Sequence, residues 1–524
     1  MKLRRIILPL VALSLTGCTK KPLVIPTVDV EHIKPSLPAI PKRNSGAIRS
    51  SGNYEYIDLY ELSDFHGAVN YEETDNHTYV GLKKLSTYFE NKRASNKGGT
   101  VILSSGDMFQ GSAESNLTRG YMVNYCMQYM GFDAMAIGNH EFDWTDEWIK
   151  KNAELKYNTS SIPFLGANIT KKGKMPSFIK KSTIVKRGSY KIGVIGIIGS
   201  ELENSVLKSC VKDYEFAPYV DIVEDEAARL KSPSVGCQAV VLLAHEGVDN
   251  ILTVNGVDAV FGGHAHEDTV GSVGGAPAAA TENYGQSVAH MALKFNKTSK
   301  ELVTAECSSS PWEQMSKVAK NLKEDKNIST IMDSYAKELD KIKNIKLGRC
   351  DDVLEFDGAL KNICTKTMYD SAAKFVTDNK GYKINSKKIV CALTNHKGGI
   401  RANIEKGKIY YKDVYRSFPF DNELVLVEVT GQDLMDHIKG VNQLAIYRTF
   451  ESVYSLSETG KYYVVTTDYL ALTNQFKTLK EVTETDLIRT GKILRDEIAY
   501  KIYDIDKVKV EEWDSGEYNF SPIY

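Results

Sequence analysis

Val101-Ile102-Leu103-Ser104-Ser105-Gly106-Asp107 joins three β-favouring apolar residues to a polar, glycine-containing stop that ends in a carboxylate. A short apolar run with such a boundary reads as a buried strand, and the polar residues after it mark the strand's C-terminal end. The same arrangement recurs through the first half of the chain. Tyr56 to Leu62 runs into Ser63-Asp64-Phe65-His66-Gly67, and Ala134 to Ile137 runs into Gly138-Asn139-His140-Glu141-Phe142-Asp143. Ala239 to Leu243 leads to Ala244-His245-Glu246-Gly247, and Val257 to Phe261 leads to Gly262-Gly263-His264-Ala265-His266. Lys191 to Ile198 is a further buried strand, and Val80 to Asn91, Met122 to Met130 and Tyr219 to Lys231 are helix-permissive. This alternation predicts an α/β layered domain, without specifying strand order. Val288 to Phe295 alternates more, which predicts an antiparallel strand at an edge or in a second sheet.

Ligand-type side chains placed after buried strands converge on one rim of a sheet. Five of the ten histidines lie in these loops. A lone histidine is usually structural, but chance does not account for five strand-end clusters together. Asp64, Asp107, Asn139, His66, His245, His264 and His266 suit two divalent ions of Zn, Mn or Fe type. Imidazole selects against a magnesium-only site, and carboxylates supply the charge. Two adjacent metals hold and deprotonate a bridging water, clamp phosphoryl oxygens and stabilise an in-line displacement. Asp107 is the best candidate for a shared ligand, which needs two usable oxygens. His140 follows a ligand directly, so its side chain turns elsewhere. With Asp143 three residues on, it forms a His–Asp pair suited to steadying the transition state or protonating the leaving oxygen. The bland alternative is that His140 only supports its neighbours.

The chain has 524 residues, enough for two domains or more. Hydrophobic residues at 42% supply full-sized cores. Lysine and arginine (66) balance aspartate and glutamate (67), which argues against a nucleic-acid polymer as partner. Trp312 to Lys343 predicts a helical connection, interrupted near Asn327, within a linking segment 310–349. In the region 350–524, Ala359 to Val376 predicts a helix and Lys388 to Leu393 and Glu423 to Val429 predict strands. Thr430-Gly431-Gln432-Asp433 predicts a helix start through a capping box.

At the N-terminus, Lys2, Arg4 and Arg5 precede an apolar stretch from Ile6 to Leu15 that is too short to span a bilayer. With Leu15-Thr16-Gly17-Cys18 it resembles a bacterial lipoprotein signal peptide. Residues 1–17 would then be removed and Cys18 lipidated, leaving an exported protein anchored to a bilayer and facing the periplasm or the cell surface. An ordinary secretory signal is the alternative. Residues 18–53, with Pro22, Pro26, Pro35, Pro38 and Pro41, read as an extended tether that buries little. Of eight cysteines, Cys18 would carry the lipid and the other seven are expected to be mostly buried free thiols.

The strand-end motifs closely resemble the 5′-nucleotidase family of the calcineurin-like metallophosphoesterases. The resemblance runs from about Tyr54 to Lys480. It implies an N-terminal four-layer α/β/β/α metallophosphoesterase domain over 54–309 and a C-terminal α+β substrate-binding domain over 350–524. It assigns Asp64, His66, Asp107 and His266 to one metal, and Asp107, Asn139, His245 and His264 to the other. It gives His140 and Asp143 the catalytic-support role and Asn168 a structural or near-site one. Thr394-Asn395-His396-Lys397-Gly398-Gly399-Ile400-Arg401 looks like the family's glycine-rich loop, in which Gly398 and Gly399 allow close backbone approach and Arg401 offers a fork of donors to an anionic oxygen. Phe420, in Phe418-Pro419-Phe420-Asp421-Asn422, and Tyr469 would form the aromatic slot for the base.

Three departures from the pattern fall in this second domain. Leu472-Thr473-Asn474-Gln475 replaces a glycine-glycine-aspartate loop near the base. Asn395 stands one residue further from the arginine than the family asparagine, so either it or His396 fills that place. A further family arginine has no counterpart near Asp357 to Lys366, where Lys397 could supply charge instead. The expectation is therefore metal-dependent hydrolysis of nucleoside 5′-monophosphates. The alternatives are a broader phosphoesterase acting on 2′,3′-cyclic nucleotides, nucleotide sugars or small phosphomonoesters, and a non-enzymatic nucleotide-binding lipoprotein.

Overall fold

The repeated strand-and-loop pattern resolves into two sheets stacked face to face. A computed structural model describes residues 21–514 apart from 75–76, 380, 382–383, 385, 441–443, 449–455 and 478, so the signal-like segment and Cys18 lie outside the described residues. The first sheet runs in the order Leu302–Glu306, Ser287–Asn296, Tyr54–Glu61, Thr100–Ser104, Ala134–Ala136, Phe164–Leu165. Its last four strands are parallel and its first two antiparallel. The second sheet runs Thr269–Val273, Ala276–Ala280, Ala259–Phe261, Ala239–His245, Tyr190–Ile198, Ser182–Arg187, with its four middle strands parallel.

Alternate residues of each strand face different layers. Ile57, Leu59, Val101 and Leu103 of the first sheet share a core with Ile192, Val194, Val241 and Leu243 of the second. Tyr60, Leu62 and Ile102 pack outward with helices Gly81–Ser95, Tyr121–Met130 and Lys326–Lys343. Ile195, Ile197, Val240 and Leu242 pack on helix Val220–Lys231. Helix, sheet, sheet and helix thus make four layers. Burial on both faces explains why these strands read as continuous apolar runs.

Ser287–Asn296 is antiparallel as expected, but it is neither an edge strand nor part of the second sheet. It lies between Tyr54–Glu61 and Leu302–Glu306 in the first sheet. Ala289, Met291, Leu293 and Phe295 enter the inter-sheet core, while His290 stacks on Tyr60 with ring centroids 4.7 Å apart. The interruption in the connecting segment falls at residues 322–325. There Asp325 accepts a bond from Asn327 N at 2.8 Å and caps helix Lys326–Lys343. This helix buries Ile328, Ile331, Tyr335 and Leu339 in the first domain's outer core, while Ile342 joins the second domain's.

The second domain is a five-stranded sheet in the order Leu444–Arg448, Ile389–Asn395, Lys461–Thr467, Glu423–Thr430, Ile488–Ile493. Helices Ala359–Asp378 and Leu494–Ile505 cover one face, and Leu434, Leu470 and Phe476 pack on the other. The capping box forms as its spacing predicts: Thr430 N donates to Asp433 Oδ2 at 2.8 Å, and Asp433 N to Thr430 Oγ1 at 3.1 Å.

The proline-rich N-terminal segment buries little, as its composition predicts, with Val30 alone buried among residues 21–53. It is largely extended, yet it lies against the body rather than clear of it. Val30 is buried, Ile33 and Leu37 pack on the first domain's core, and Leu23 and Ile25 pack on the second's. Tyr157 and Tyr503 donate to the carbonyls of Pro38 and Lys21 at 2.5 and 3.0 Å. The prolines hold the chain extended, and the apolar residues between them supply contacts that a composition count does not weigh. All seven described cysteines are free thiols, and five of them are buried.

Candidate active site

Every ligand-type motif follows a strand, and several leave it through a left-handed turn. Asp64, His66, Asp107, His264 and His266 all have positive φ, between 47° and 68°. Such backbone is uncommon outside glycine and concentrates at functional sites, where surrounding packing enforces it. Gly106 and Gly138 let the loops close up. A Cβ on Gly138 would fall 2.2 Å from Asp107 Oδ1, and one on Gly106 would fall 2.7 Å from Gly138 N.

The turns bring together two Asp/His clusters, Asp64–His66–His266 and Asp107–His245–His264, each with ligand atoms within 4.8 Å of one another. In the first, His266 Nε2 lies 3.1 Å from His66 Nε2 and 3.4 Å from Asp64 Oδ1. In the second, His245 Nε2 lies 3.2 Å from Asp107 Oδ2, and Asn139 Oδ1 lies 2.9 Å from His245 Nε2 and 3.1 Å from His264 Nδ1. The outer nitrogens of two rings are committed elsewhere. His66 Nδ1 donates to the Gln110 carbonyl at 2.9 Å, and His245 Nδ1 to the Ser105 carbonyl at 2.8 Å. That is how metal-ligating imidazoles are oriented.

The donor set fits divalent cations on a further count. Asp107 Oδ2 is buried without a hydrogen-bond donor, an acceptor that a cation would satisfy. Burial pushes His66 down to about 3 and His264 down to about 4, so both rings are neutral and available as ligands. Burial also opposes charge on Asp107 and His245, but their mutual attraction outweighs it. Asp107 is held well below the carboxylate range and His245 is pushed up to about 10. The pocket therefore demands positive charge beside Asp107. Two Asp/His clusters able to hold divalent ions are present, with Asn139 beside the second.

His140 and Asp143 pair at 2.9 Å through Nδ1 and Oδ2. The His140 backbone N–H also donates to Asp107 Oδ1 at 2.9 Å, which ties the pair to the clusters. Burial works against charge on the ring, but the carboxylates of Asp143 and Asp107 push His140 up to about 9. Its ring lies 5.3 Å from that of His66 and 5.9 Å from that of Phe420, nearly parallel to the latter.

Sequence reading passed over two acids here. Glu141 accepts from the backbone of Gly138 and Asp107 through one oxygen and from Met108 through the other, at 2.8–3.0 Å. It thereby pins the Asp107 loop to the Asn139 loop, and burial pushes its carboxyl up to about 7. Glu61 ends an apolar strand and accepts from Ser105 N at 3.1 Å. Glu141 stands among the ligand-type residues and Glu61 within the preceding strand, and residue type alone does not tell a carboxylate that serves a metal from one that serves backbone N–H groups. Asn168 is structural: it bonds Ile198 N and O and Ala217 O at 2.7–3.1 Å.

The second domain closes the site. A cavity of about 300 Å³ is lined by Asp107, Asn139, His140, Asp143, His264 and His266 on one side, and by Asn395, Gly398, Gly399, Arg401, Phe420 and Tyr469 on the other. The Arg401 guanidinium lies 5.1 Å over the Phe420 ring. A Cβ on Gly399 would sit 2.6 Å from Asn395 Oδ1, so glycine permits that approach. The side chains of His396, Lys397, Asn474 and Gln475 lie outside the described residues.

The loop carrying Phe420 is held across the domain boundary by residues the motifs did not reveal. Asn116 Nδ2 donates to the Pro419 carbonyl at 2.8 Å, and Arg119 bonds Asp421 Oδ2 at 3.0 Å. From within the second domain, Arg495 bonds Asp421 Oδ1 at 2.6 Å and the Phe420 carbonyl at 3.2 Å. Burial opposes the Asp421 charge, but the two guanidiniums hold its carboxyl down to about 2.

Residues 59–268 match the family model for calcineurin-like phosphoesterases, and residues 357–455 match that for the 5′-nucleotidase C-terminal domain. Among similar proteins, a probable 5′-nucleotidase of Treponema pallidum is 25% identical over 430 residues, covering 70% of this chain and 70% of its own length. Endonuclease YhcR of Bacillus subtilis is 25% identical over 453 residues, covering 79% of this chain, which spans 35% of that relative. Among solved structures, the 5′-nucleotidase precursor of Thermus thermophilus superposes with a TM-score of 0.69 at 20% identity, covering 86% of this chain and 97% of that one. At that identity the likeness is one of fold.

Proposed function

With a metallophosphoesterase domain and a 5′-nucleotidase C-terminal domain in one chain, this protein is a member of the calcineurin-like metallophosphoesterase and 5′-nucleotidase family, and we propose that it hydrolyses nucleoside 5′-monophosphates to nucleoside and phosphate. One observation carries the reading: a single cavity is bounded by both ligand clusters' residues and by Arg401, Phe420 and Tyr469.

Asp64, His66 and His266, and Asp107, Asn139, His245 and His264, would hold two divalent ions of Zn, Mn or Fe type, with Asp107 shared. Bound there, such ions supply Lewis acidity and a nucleophilic water at neutral pH. The chain's own groups do the rest. Arg401 clamps an anionic phosphoryl oxygen through its planar fork of donors. Gly398 and Gly399 let the backbone approach the same group. Phe420 and Tyr469 offer ring faces to the nucleobase, which favours nucleosides as a class without selecting one base. His140, held cationic and oriented by Asp143, donates to the departing oxygen.

Phosphate release from AMP tests this, using the chain from Lys21 onward with added Mn²⁺ or Zn²⁺ and again after chelation. The reading expects chelator-sensitive release. Inertness toward AMP with both metals in place would refute it. The second reading, a phosphoesterase of broader range, is favoured by the altered residues 472–475 and by the cavity described below.

The N-terminal motif supports export and lipidation at Cys18, with the catalytic body outside the cytoplasm. Among the described residues, no helix is long and apolar enough to cross a membrane. Cys18→Ser should abolish labelling by a radioactive fatty acid and release the protein from the membrane fraction. Persistent labelling would refute the anchor.

A further inference from the structure

A second cavity, of about 400 Å³, opens off the same site. It shares Gln110, Arg401, Pro419 and Phe420 with the first, and His66 reaches its wall. Both cavities therefore start at the candidate metal ligands, with Arg401 and Phe420 as the partition between them. A phosphate monoester has one ester group, and the first cavity already supplies Phe420 and Tyr469 to receive it. A phosphodiester has two, and an in-line displacement expels only one. The other stays on phosphorus and needs its own space.

The second cavity has the lining such a group would use. The Tyr79 and Tyr284 rings meet at 4.9 Å, and Tyr284 stands 5.6 Å from the His66 ring. At the outer end, the exposed Arg416 of the second domain bridges to Glu72 of the first at 2.9 Å. Lys412 and Arg416 share the lining with Glu72, Glu114 and Asp413, and His77 stacks on Tyr79 at 4.2 Å, so the mixed charge and the tyrosine rings suit an uncharged nucleoside whose phosphate stays at the candidate metal ligands.

We propose that this cavity is a second nucleoside site, and that the protein cleaves short dinucleotides as phosphodiesters, with Tyr79 and Tyr284 contacting the retained nucleoside. The proposal rests on the phosphoester-hydrolysing site described above. Water forms a new bond to phosphorus, and the bond to the oxygen of the group in the first cavity breaks. That oxygen takes a proton and departs as a free nucleoside hydroxyl. The group in the second cavity leaves as a nucleoside monophosphate. One water is consumed per bond, with no change in oxidation state.

The test compares adenylyl-(3′→5′)-adenosine with AMP on the Mn²⁺-loaded full chain. The wild type should cleave both. Tyr79→Ala should lower kcat/KM for the dinucleotide by about tenfold or more, the order of a lost base–aromatic stack, and leave AMP within about twofold. Tyr79→Phe should restore the dinucleotide rate. Arg416→Ala, at an exposed side chain, gives a second reading if Tyr79→Ala misfolds, and should also affect the dinucleotide selectively. Turnover of AMP with an inert dinucleotide would overturn this proposal alone. Inertness toward both would overturn the preceding reading as well. Equal losses on both substrates, or none on the dinucleotide, would remove Tyr79 from the site.

Discussion

Replacing Asp143 with asparagine keeps the side chain's size and its 2.9 Å reach to His140 Nδ1 but removes its charge. His140 is pushed up to about 9 because, against the cost of burial, the carboxylates of Asp143 and Asp107 favour its protonated form. Cations held by the neighbouring ligands offset the share due to Asp107, which leaves Asp143 as the principal support. An opposite charge at this range typically moves a pKa by about 1–3 units. At about 1.4 kcal/mol per unit, its loss removes roughly 1.4–4 kcal/mol of preference for the imidazolium. The sign follows from the direction of the shift. A histidine raised above its ordinary value is charged below its folded pKa and loses that charge as pH rises through it. Catalysis that needs the charged ring therefore fails on the alkaline side, and in the variant it fails about 1–3 pH units earlier than in the wild type. Above the wild-type limb the variant should be about ten- to a thousandfold slower than the wild type, with the gap closing at acid pH where both rings are charged. The assay is kcat/KM for AMP across pH 5–10 with metal saturating. An alkaline limb at the same pH in both proteins would refute the argument that Asp143 sets the His140 charge.

Other substitutions separate the remaining roles. Asp107→Ala should lower bound metal, measured by elemental analysis, and cut turnover by at least about a thousandfold, since it removes the shared carboxylate; full metal content would contradict the shared-ligand assignment. Phe420→Ala should harm AMP about tenfold more than an artificial aryl phosphate that lacks a base, and equal harm to both would end the stacking assignment. Glu141→Ala leaves three buried backbone N–H groups without their acceptor. At about 1–3 kcal/mol for an orphaned buried group, it should lower the thermal midpoint by several degrees, and an unchanged midpoint would show that the two loops hold without it. Starting the chain at residue 44 exposes the surface now covered by Val30, Ile33 and Leu37. It should cost at least about 1.5 kcal/mol, the low end for one buried aliphatic side chain, read as a lower midpoint in denaturant.

Much of the first domain and its candidate ligands could be read from local pattern because the physics there is local. A strand buried on both faces needs a continuous apolar run, and its end needs a polar break, so each ligand was covalently next to its own signal. The clusters then follow from topology, since neighbouring parallel strands end on one rim: Leu59 pairs with Val101 and Leu103 with Ala134, so Asp64, Asp107 and Asn139 emerge together. The His140–Asp143 pair and the Thr430–Asp433 capping box are likewise three residues apart, within the reach of one turn. Where alternation was read without partners, as at 288–295, the strand type was right and its place in the sheet was not. Period reports which faces are apolar, not which strand lies alongside.

Other features depend on contacts that no window of sequence contains. Arg119 meets Asp421 across 302 residues and Asn116 meets Pro419 across 303. An arginine followed by glycine, or an asparagine in a short helix, carries no sign of such a partner. The buried acids Glu61 and Glu141 became intelligible once the backbone N–H groups they serve were in position. The N-terminal segment, extended and proline-rich by composition, is held by surfaces of two domains that exist only after both have folded. The two cavities are properties of the gap between domains, so Phe420 and Arg401 become a partition only when the second domain sits over the strand ends. Residue chemistry and strand period travel with the chain, whereas long-range pairing and the shape of an interdomain space arise from packing.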